Sequence, residues 1–343
     1  MAPRKAGLSS RHKERDLDNI NDAPVRLALI HNPRSRRNRR DGKAFVRQAS
    51  AWLGDGFLQP QSHEEMEAMI RHLAARKTPL IAINGGDGTV SDVLTRICHA
   101  YPADALPRIA IFPSGNTNLI AKDVGFQRRG LAALKQLMEE TERLGFIIRA
   151  PLQVSWPDES QPSRLGMFHG STGYARAIAI AHSPHVLRYA PHDLAVGVTL
   201  LATFGSLARR RQRETWLNGD PARLETAEGV IADGRSFLFI ATALHHLNRG
   251  IWPFWRKQSD AQDGLHFLNV KDHPTHLVRA TWSLLRGRAE NWLRQSPDYA
   301  SGCVQDMWLH SPSDFVLDGE VLSPGEEGVI KLSRGPRFTF LHD

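Results

Sequence analysis

Residues 79–89 read Pro79-Leu80-Ile81-Ala82-Ile83-Asn84-Gly85-Gly86-Asp87-Gly88-Thr89, and this stretch decides the fold. An aliphatic run of strand length stops at two glycines, and a helical pattern follows over 89–99. Glycines at such a junction are expected to take positive φ and to let the backbone approach a ligand closely. Free amides at the start of the following helix favour a phosphate. An acidic residue inside an anion-binding turn is costly unless a cation or a proton transfer uses it. Phosphoryl transfer from a magnesium nucleotide supplies both uses. Taken alone, GGDG also reads as a tight strand-to-helix turn with Asp87 as a cap.

The same punctuation recurs on both sides. An aliphatic run over 25–31 ends in Asn32-Pro33-Arg34-Ser35, and one over 108–112 ends in Pro113-Ser114-Gly115-Asn116-Thr117-Asn118. Helical patterns lie over 42–53, 63–76, 89–99, about 117–123, and 130–143. Strands alternating with helices predict βαβ units and a parallel sheet. Ligands of open α/β sheets lie beyond the carboxyl ends of the strands, where all three polar loops would fall. After about residue 146 the pattern becomes strand-like, over 146–155, 165–170, 193–203, 223–232, 235–243, 265–270 and 305–310. One helix is predicted over 274–295, and a last strand over 329–341 that returns to the first sheet. The expected organisation is a flexible basic segment at 1–23 and an α/β nucleotide-binding domain at 24–149, joined by a C-terminal strand from about 325–343. A β-rich substrate domain would fill 150–324.

Strand–NPxS, strand–GGDGT, strand–PxGxxN and the late Leu317-Asp318-Gly319-Glu320 together resemble the diacylglycerol kinase catalytic-domain family. That family includes bacterial soluble lipid kinases, sphingosine kinases and ceramide kinases. GGDGT by itself is shared with NAD kinases; the combination is more specific, and it runs from about residue 25 to 341. The resemblance implies an N-terminal α/β nucleotide-binding domain of the NAD kinase/diacylglycerol kinase type, followed by a mainly antiparallel β-sandwich domain. It implies a lipid kinase that uses ATP and Mg²⁺, with the triphosphate over the GGDGT loop in the interdomain cleft. It implies nucleotide-binding roles for Asn32, Ser35, Gly85, Gly86, Asp87, Gly88, Thr89, Gly115 and Asn116. Glu320 would accept the proton of the lipid hydroxyl, with Asp87 as the second catalytic residue. Asp260, Asp263 and the carbonyl of Leu265 match a metal site of bacterial members, and hard oxygen ligands suit Mg²⁺.

Four positions depart from the family pattern. Ser91-Asp92 stands where Asn-Glu is usual, Asn116 replaces a Thr, Leu119 replaces an Asp, and Arg36 replaces a Gly after NPxS. The loss at Leu119 keeps open a catalytically silent lipid- or anion-binding relative, and the shared GGDGT keeps open an NAD-kinase-like enzyme.

Composition excludes other classes. Of 343 residues, 41% are hydrophobic and 23% charged, enough to fill cores and too apolar for a disordered chain. Two cysteines, Cys98 and Cys303, exclude a disulfide scaffold. No apolar run reaches the length of about 18 residues that a spanning helix needs, and the charged first residues do not read as a secretory signal. Residues 1–43 carry 12 Lys+Arg against 5 Asp+Glu, a net +7 of the chain's +8. The basic character is therefore a local arm, and no nucleic-acid partner is expected. Two further basic sites are Arg209-Arg210-Arg211 with Arg213, and Trp252-Pro253-Phe254-Trp255-Arg256-Lys257, whose mix of rings and cations suits a membrane–water interface or a packed loop. The 274–295 helix reads as packed with solvated arginines, or as lying against a membrane. His182 with His185, His245-His246, and His273 with His276 lack metal-ligand spacing, and HExxH and GxSxG are absent. The expected protein is cytoplasmic, visits the membrane surface where its lipid substrate sits, and can form a homodimer.

Overall fold

The structure, a computed structural model, describes residues 25–176, 217–247, 251–256, 264–286 and 289–343. The expected strand at 193–203, the basic arm of 1–23, Arg209 to Arg213, Lys257, His182 and His185 lie outside the described residues.

The aliphatic runs form a six-stranded sheet. Its members are β1 (Ala28–His31), β2 (Phe57–Leu58), β3 (Leu80–Gly85), β4 (Arg108–Pro113), β5 (Gly145–Arg149) and β17 (Phe338–His342), in the order β2-β1-β3-β4-β17-β5. All neighbours are parallel except β17 and β5. The central strands β1, β3 and β4 are buried on both faces, while edge strand β5 exposes Phe146 and Ile148. This is why β3 reads as an unbroken apolar run rather than an alternation. One face packs α1 (Asn38–Leu53) and α5 (Gly130–Glu140) through Phe45, Ala49, Leu134 and Leu137. The other packs α2 (His63–Ala75), α3 (Asp87–Ala100) and α4 (Leu119–Val124) through Met66, Ile70, Val93, Leu94 and Ile120.

The chain then leaves this sheet. Ala150-Pro151 splits the expected 146–155 strand into β5 and β6 (Leu152–Ser155), which belong to different sheets; Pro151 has no N–H to continue a ladder. The second sheet is antiparallel throughout and has eleven strands among the described residues. After β6 come β7 (Arg164–Gly166), β8 (Phe168–Thr172), β9 (Asp220–Thr226), β10 (Gly229–Thr242), β11 (Leu265–Lys271), β12 (Tyr299–Val304), β13 (Asp306–His310), β14 (Phe315–Leu317), β15 (Glu320–Leu322) and β16 (Val329–Arg334). An α/β domain followed by a mainly antiparallel β-sandwich is the fold class expected from the sequence.

Three local expectations shift. The β9–β10 hairpin turns just before Gly229, not at Asp233-Gly234; Gly234 keeps its place in β10 with φ 130°. The 274–295 helix is two helices, α6 (Leu277–Leu285) and α7 (Asn291–Gln295). The 329–341 strand divides around Gly335-Pro336: β16 pairs with β13 and β6 in the second sheet, and β17 alone enters the first.

Helix α3 joins the two sheets. Its Thr95 hydroxyl accepts from the N–H of Leu165 in β7 at 2.9 Å, and one apolar core runs from Ile83 and Ile111 through Leu165 to Phe239 and Phe315. The helix that begins at the GGDGT loop is thus the wall between the α/β layer and the β layer. No described helix is long and apolar enough to cross a membrane.

Candidate active site

The three loops expected at the carboxyl edge of the first sheet are in mutual contact. Asn32 Nδ2 donates to Thr89 Oγ1 at 2.8 Å, and the Asn32 N–H donates to the Asn84 carbonyl at 3.0 Å. Asn38 Nδ2, which the sequence reading passed over, donates to both the Asn32 and Asn84 carbonyls, at 2.8 and 2.9 Å. Ser114 ties the third loop in: its hydroxyl donates to Asn84 Oδ1 and its N–H to the Gly85 carbonyl. Ser35 closes its own loop, its N–H donating to the Asn32 carbonyl at 3.2 Å.

The glycines act through space and not through φ. None of Gly85, Gly86, Gly88 and Gly115 has positive φ, which corrects the expectation above. A Cβ on Gly115 would lie 2.5 Å from the Gly86 Cα, and one on Gly86 would lie 3.1 Å from the Gly115 Cα. Two backbones touch here with no side chain between them. The start of α3, with Gly86 as its N-cap and no side chain capping it, stands open beside that contact. Its unpaired amides and positive dipole end suit an anion. Asn116 Oδ1 is shielded from solvent and makes no hydrogen bond; an amide turned over would offer its NH₂ to a phosphate oxygen.

Asp87 caps a helix, but not its own. Its Oδ2 accepts from Thr117 Oγ1 at 2.7 Å and from the Leu119 N–H at 3.1 Å, and its Oδ1 accepts from the Ile120 N–H at 3.0 Å. These are donors at the start of α4, where a carboxylate also meets the positive dipole end. Asn118 is left to brace its own loop, accepting from the Gly115 N–H at 2.7 Å and donating to the Gly115 carbonyl at 3.0 Å. Leu119, where the family has Asp, packs its side chain against the core.

The second sheet contributes the Leu317-Asp318-Gly319-Glu320 turn. It joins β14 to β15, with Leu317 opposite Glu320 and φ of 47° and 92° at Asp318 and Gly319. Asp-Gly is favoured where a two-residue hairpin needs positive φ at both central positions. The Asp318 carbonyl lies 3.7 Å from where a Cβ on Gly88 would sit, so this turn lies over the first turn of α3. Glu320 is exposed and meets Arg164 Nη1 of β7 at 3.4 Å. The Asp318 carboxylate turns inward: Oδ2 accepts from the Ser91 hydroxyl and, at 2.7 Å, from the Met167 N–H, while Oδ1 accepts from the Phe168 N–H at 3.0 Å. Burial pushes its pKa up to about 7; the nearby Asp87 charge adds to this, and the hydrogen bonds oppose it.

Residues 26–149 match the family model of the diacylglycerol kinase catalytic domain. The resemblance drawn from the motifs is borne out there. The whole chain is similar in fold to a diacylglycerol kinase from Bacillus anthracis str. Sterne, with a TM-score of 0.59 at 15% identity, covering 93% of this chain and 97% of that one. A second structure from that strain, described as a candidate diacylglycerol kinase, gives 0.61 at 18% identity with the same coverage. No curated protein sequence matches the chain.

Other expected positions fall differently. Asp260 and Asp263 lie outside the described residues; Leu265 opens β11 opposite Val304. Among the described residues no three His, Cys, Asp or Glu side chains converge as a metal site. His246 Nδ1 lies 3.0 Å from Asp123 Oδ1, and His245 Nε2 lies 2.7 Å from Arg149 Nη1, so this pair belongs to an ionic cluster between α4, β5 and the end of β10. Phe254 is buried, and Trp252 and Trp255 pack against the same cluster, so the aromatic run there is a packed loop. By contrast Val278 and Trp282, one turn apart on α6, are 78% and 59% exposed, with the Arg286 guanidinium 4.4 Å above the Trp282 ring.

Proposed function

We propose that the protein is an ATP-dependent lipid kinase, transferring the γ-phosphate to the hydroxyl of a diacylglycerol, ceramide or sphingoid-type lipid. The observation that carries this reading is the meeting of four segments at one point. The 32–35, 85–89 and 113–118 loops interlock by hydrogen bonds and by the contact of Gly86 with Gly115. The Glu320 hairpin of the other sheet reaches the same helix start. Phosphoryl transfer asks for positioning and charge neutralisation more than covalent chemistry, and this is a positioning site.

In this reading the amides at the start of α3, with Gly86 and Gly115 leaving the approach open, hold phosphate oxygens. Asn116 adds a donor. Asp87 keeps the second and third loops in register, and its oxygens have acceptor capacity beyond the three bonds they accept. Glu320, on the acceptor side, takes the proton of the lipid hydroxyl, which is worth roughly 10²–10⁴ in rate. Mg²⁺ arriving with the nucleotide supplies neutralisation of the phosphate charge. The two sheets act as nucleotide domain and lipid domain. The exposed Val278 and Trp282 beside Arg286 offer the contact with the membrane surface, rings at headgroup level and a cation toward lipid phosphate.

The test is phosphate transfer from γ-labelled ATP to a panel of diacylglycerol, ceramide, sphingoid base and phosphatidylglycerol vesicles with Mg²⁺, using wild type beside Glu320→Gln and Asp87→Asn. One labelled lipid, with the rate of labelling cut about 10²-fold or more in both variants and a residual rate still measurable in Glu320→Gln, is the expected result. In a parallel arm with NAD as the acceptor, labelled NADP in place of any labelled lipid would move the reading to an NAD-kinase-like enzyme. ATP binding with no transfer would favour a silent relative.

A further inference from the structure

We propose that Asp318, held by Ser91 and by two amides at the start of β8, is a positioning residue that fixes the Glu320 strand against the first turn of α3. The role of Glu320 in this proposal rests on the kinase reading above; the lock itself rests on geometry.

A hairpin turn needs Asp-Gly only for its backbone, and an Asn-Gly pair would serve equally. Here the side chain is used as well. It reaches α3 through Ser91 and reaches β8 through the Met167 and Phe168 amides. The Asp318 N–H in turn donates to the Phe168 carbonyl at 2.9 Å. Space is kept for it: a Cβ on Gly166 would lie 2.7 Å from Asp318 Oδ2 and 2.5 Å from Leu317 Cδ1. No cation is paired with this carboxylate among the salt bridges of the described residues, and the nearby Asp87 repels it. An unpaired inward carboxylate is costly, and the three donors converging on it offset part of that cost. Through this residue the acceptor-side strand, the phosphate-side helix and the β7–β8 junction become one unit. Ser91, where the family has Asn, is the donor from the helix side.

The proposal is tested by a double-mutant cycle and by hydrogen exchange. Ser91→Ala should lower kcat for lipid phosphorylation about tenfold with KM for ATP unchanged, and Ser91→Thr, which keeps the hydroxyl, should restore it. In a Glu320→Gln background Ser91→Ala should cause no further loss. Losses that multiply in the two backgrounds would overturn action through Glu320. Exchange of amides 315–322 should speed up in Ser91→Ala and not in Ser91→Thr; unchanged exchange would overturn the lock. Wild type that labels no lipid would overturn the kinase reading and the role of Glu320 with it, while the exchange result still decides the lock.

Discussion

The contact between Gly86 and Gly115 and the Asp318 turn join distant segments by opposite means. The first works by absence. Two loops of the α/β sheet touch backbone to backbone, and a Cβ on Gly115 would sit 2.5 Å from the Gly86 Cα. The second works by presence: one carboxylate of the β sheet gathers three donors from two other elements. The first joint is sensitive to volume and indifferent to pH. The second tolerates changes of shape poorly and carries a group that titrates near neutrality. A loop that lets a ligand's oxygens approach, as the proposed kinase reading asks of these two, needs the first kind of joint. A junction between two sheets, where a long-range tie must be made, is served by the second.

The largest effect separating the two should come from Gly115→Ala. The clash is with backbone, which cannot swing aside, so overpacking at the upper end, about 3 kcal/mol, is expected. Thermal unfolding should show the loss, and titration with an ATP analogue should show binding weakened at least tenfold. Gly88→Ala is the control: its nearest neighbour would be 3.7 Å away, an ordinary contact, and stability should hold or rise slightly as a glycine leaves a helix. Equal damage from both substitutions would mean that the site depends on glycine flexibility rather than on the close approach.

The two joints also differ in how well the sequence shows them. Gly85-Gly86 after an aliphatic run, and Pro113-Ser114-Gly115 after another, are local signals. They placed the loops, the parallel sheet and the helix that follows each loop. What they could not reveal was the reason for the glycines, which is space between two loops far apart in the chain. Asp318 was read only as part of a motif ending in Glu320. Its partners Ser91, Met167 and Phe168 are 150 or more residues away, and nothing local distinguishes an inward carboxylate from one that merely completes a turn. Asp87 is an intermediate case. The string marks it as a capping residue, but the helix it caps begins at Leu119, one βα unit later. Asn38 left no signal, because its role is to bond two backbone carbonyls. The second sheet was legible as strands but not as an order, since antiparallel partners are chosen by hairpins and returns such as Gly335-Pro336, which divides one apparent strand between two sheets.

The titrating joint gives the next effect in size. Asp318 has a folded pKa pushed up to about 7 by burial, against about 3.9 for an unfolded Asp. Between those values the folded state binds more protons than the unfolded one, so this residue's contribution to stability falls as pH rises. From pH 5 to pH 7 the loss should be about 2 kcal/mol. Asp318→Asn carries no such charge. It should be less stable than wild type at pH 5, where it lacks the full set of accepted bonds, and the gap should narrow by pH 7. Urea unfolding of both proteins at the two pH values measures the difference, with other titrating groups cancelling. A gap that widens with pH would mean that the carboxylate is favoured as the anion, and that the amides and Ser91 outweigh burial.

The smallest effect tests whether the glycine contact is the main tie between the 85–89 and 113–118 loops or one of several equal ones. Thr117 Oγ1 donates to Asp87 Oδ2 at 2.7 Å, alongside the amides of Leu119 and Ile120. Thr117→Val keeps the shape and removes one donor of three. The cap survives on its two backbone bonds, and the carboxylate remains satisfied, so no buried group is orphaned. The expected cost is about 1 kcal/mol, with affinity for an ATP analogue reduced less than tenfold. A Thr117→Val variant as damaged as Gly115→Ala would reverse the comparison, because the loops would then be held by the polar tie through Asp87 and the glycines would only permit it. The smaller loss, beside an intact fold, would leave the bare backbone contact as the structural core of the site and Asp87 as its alignment.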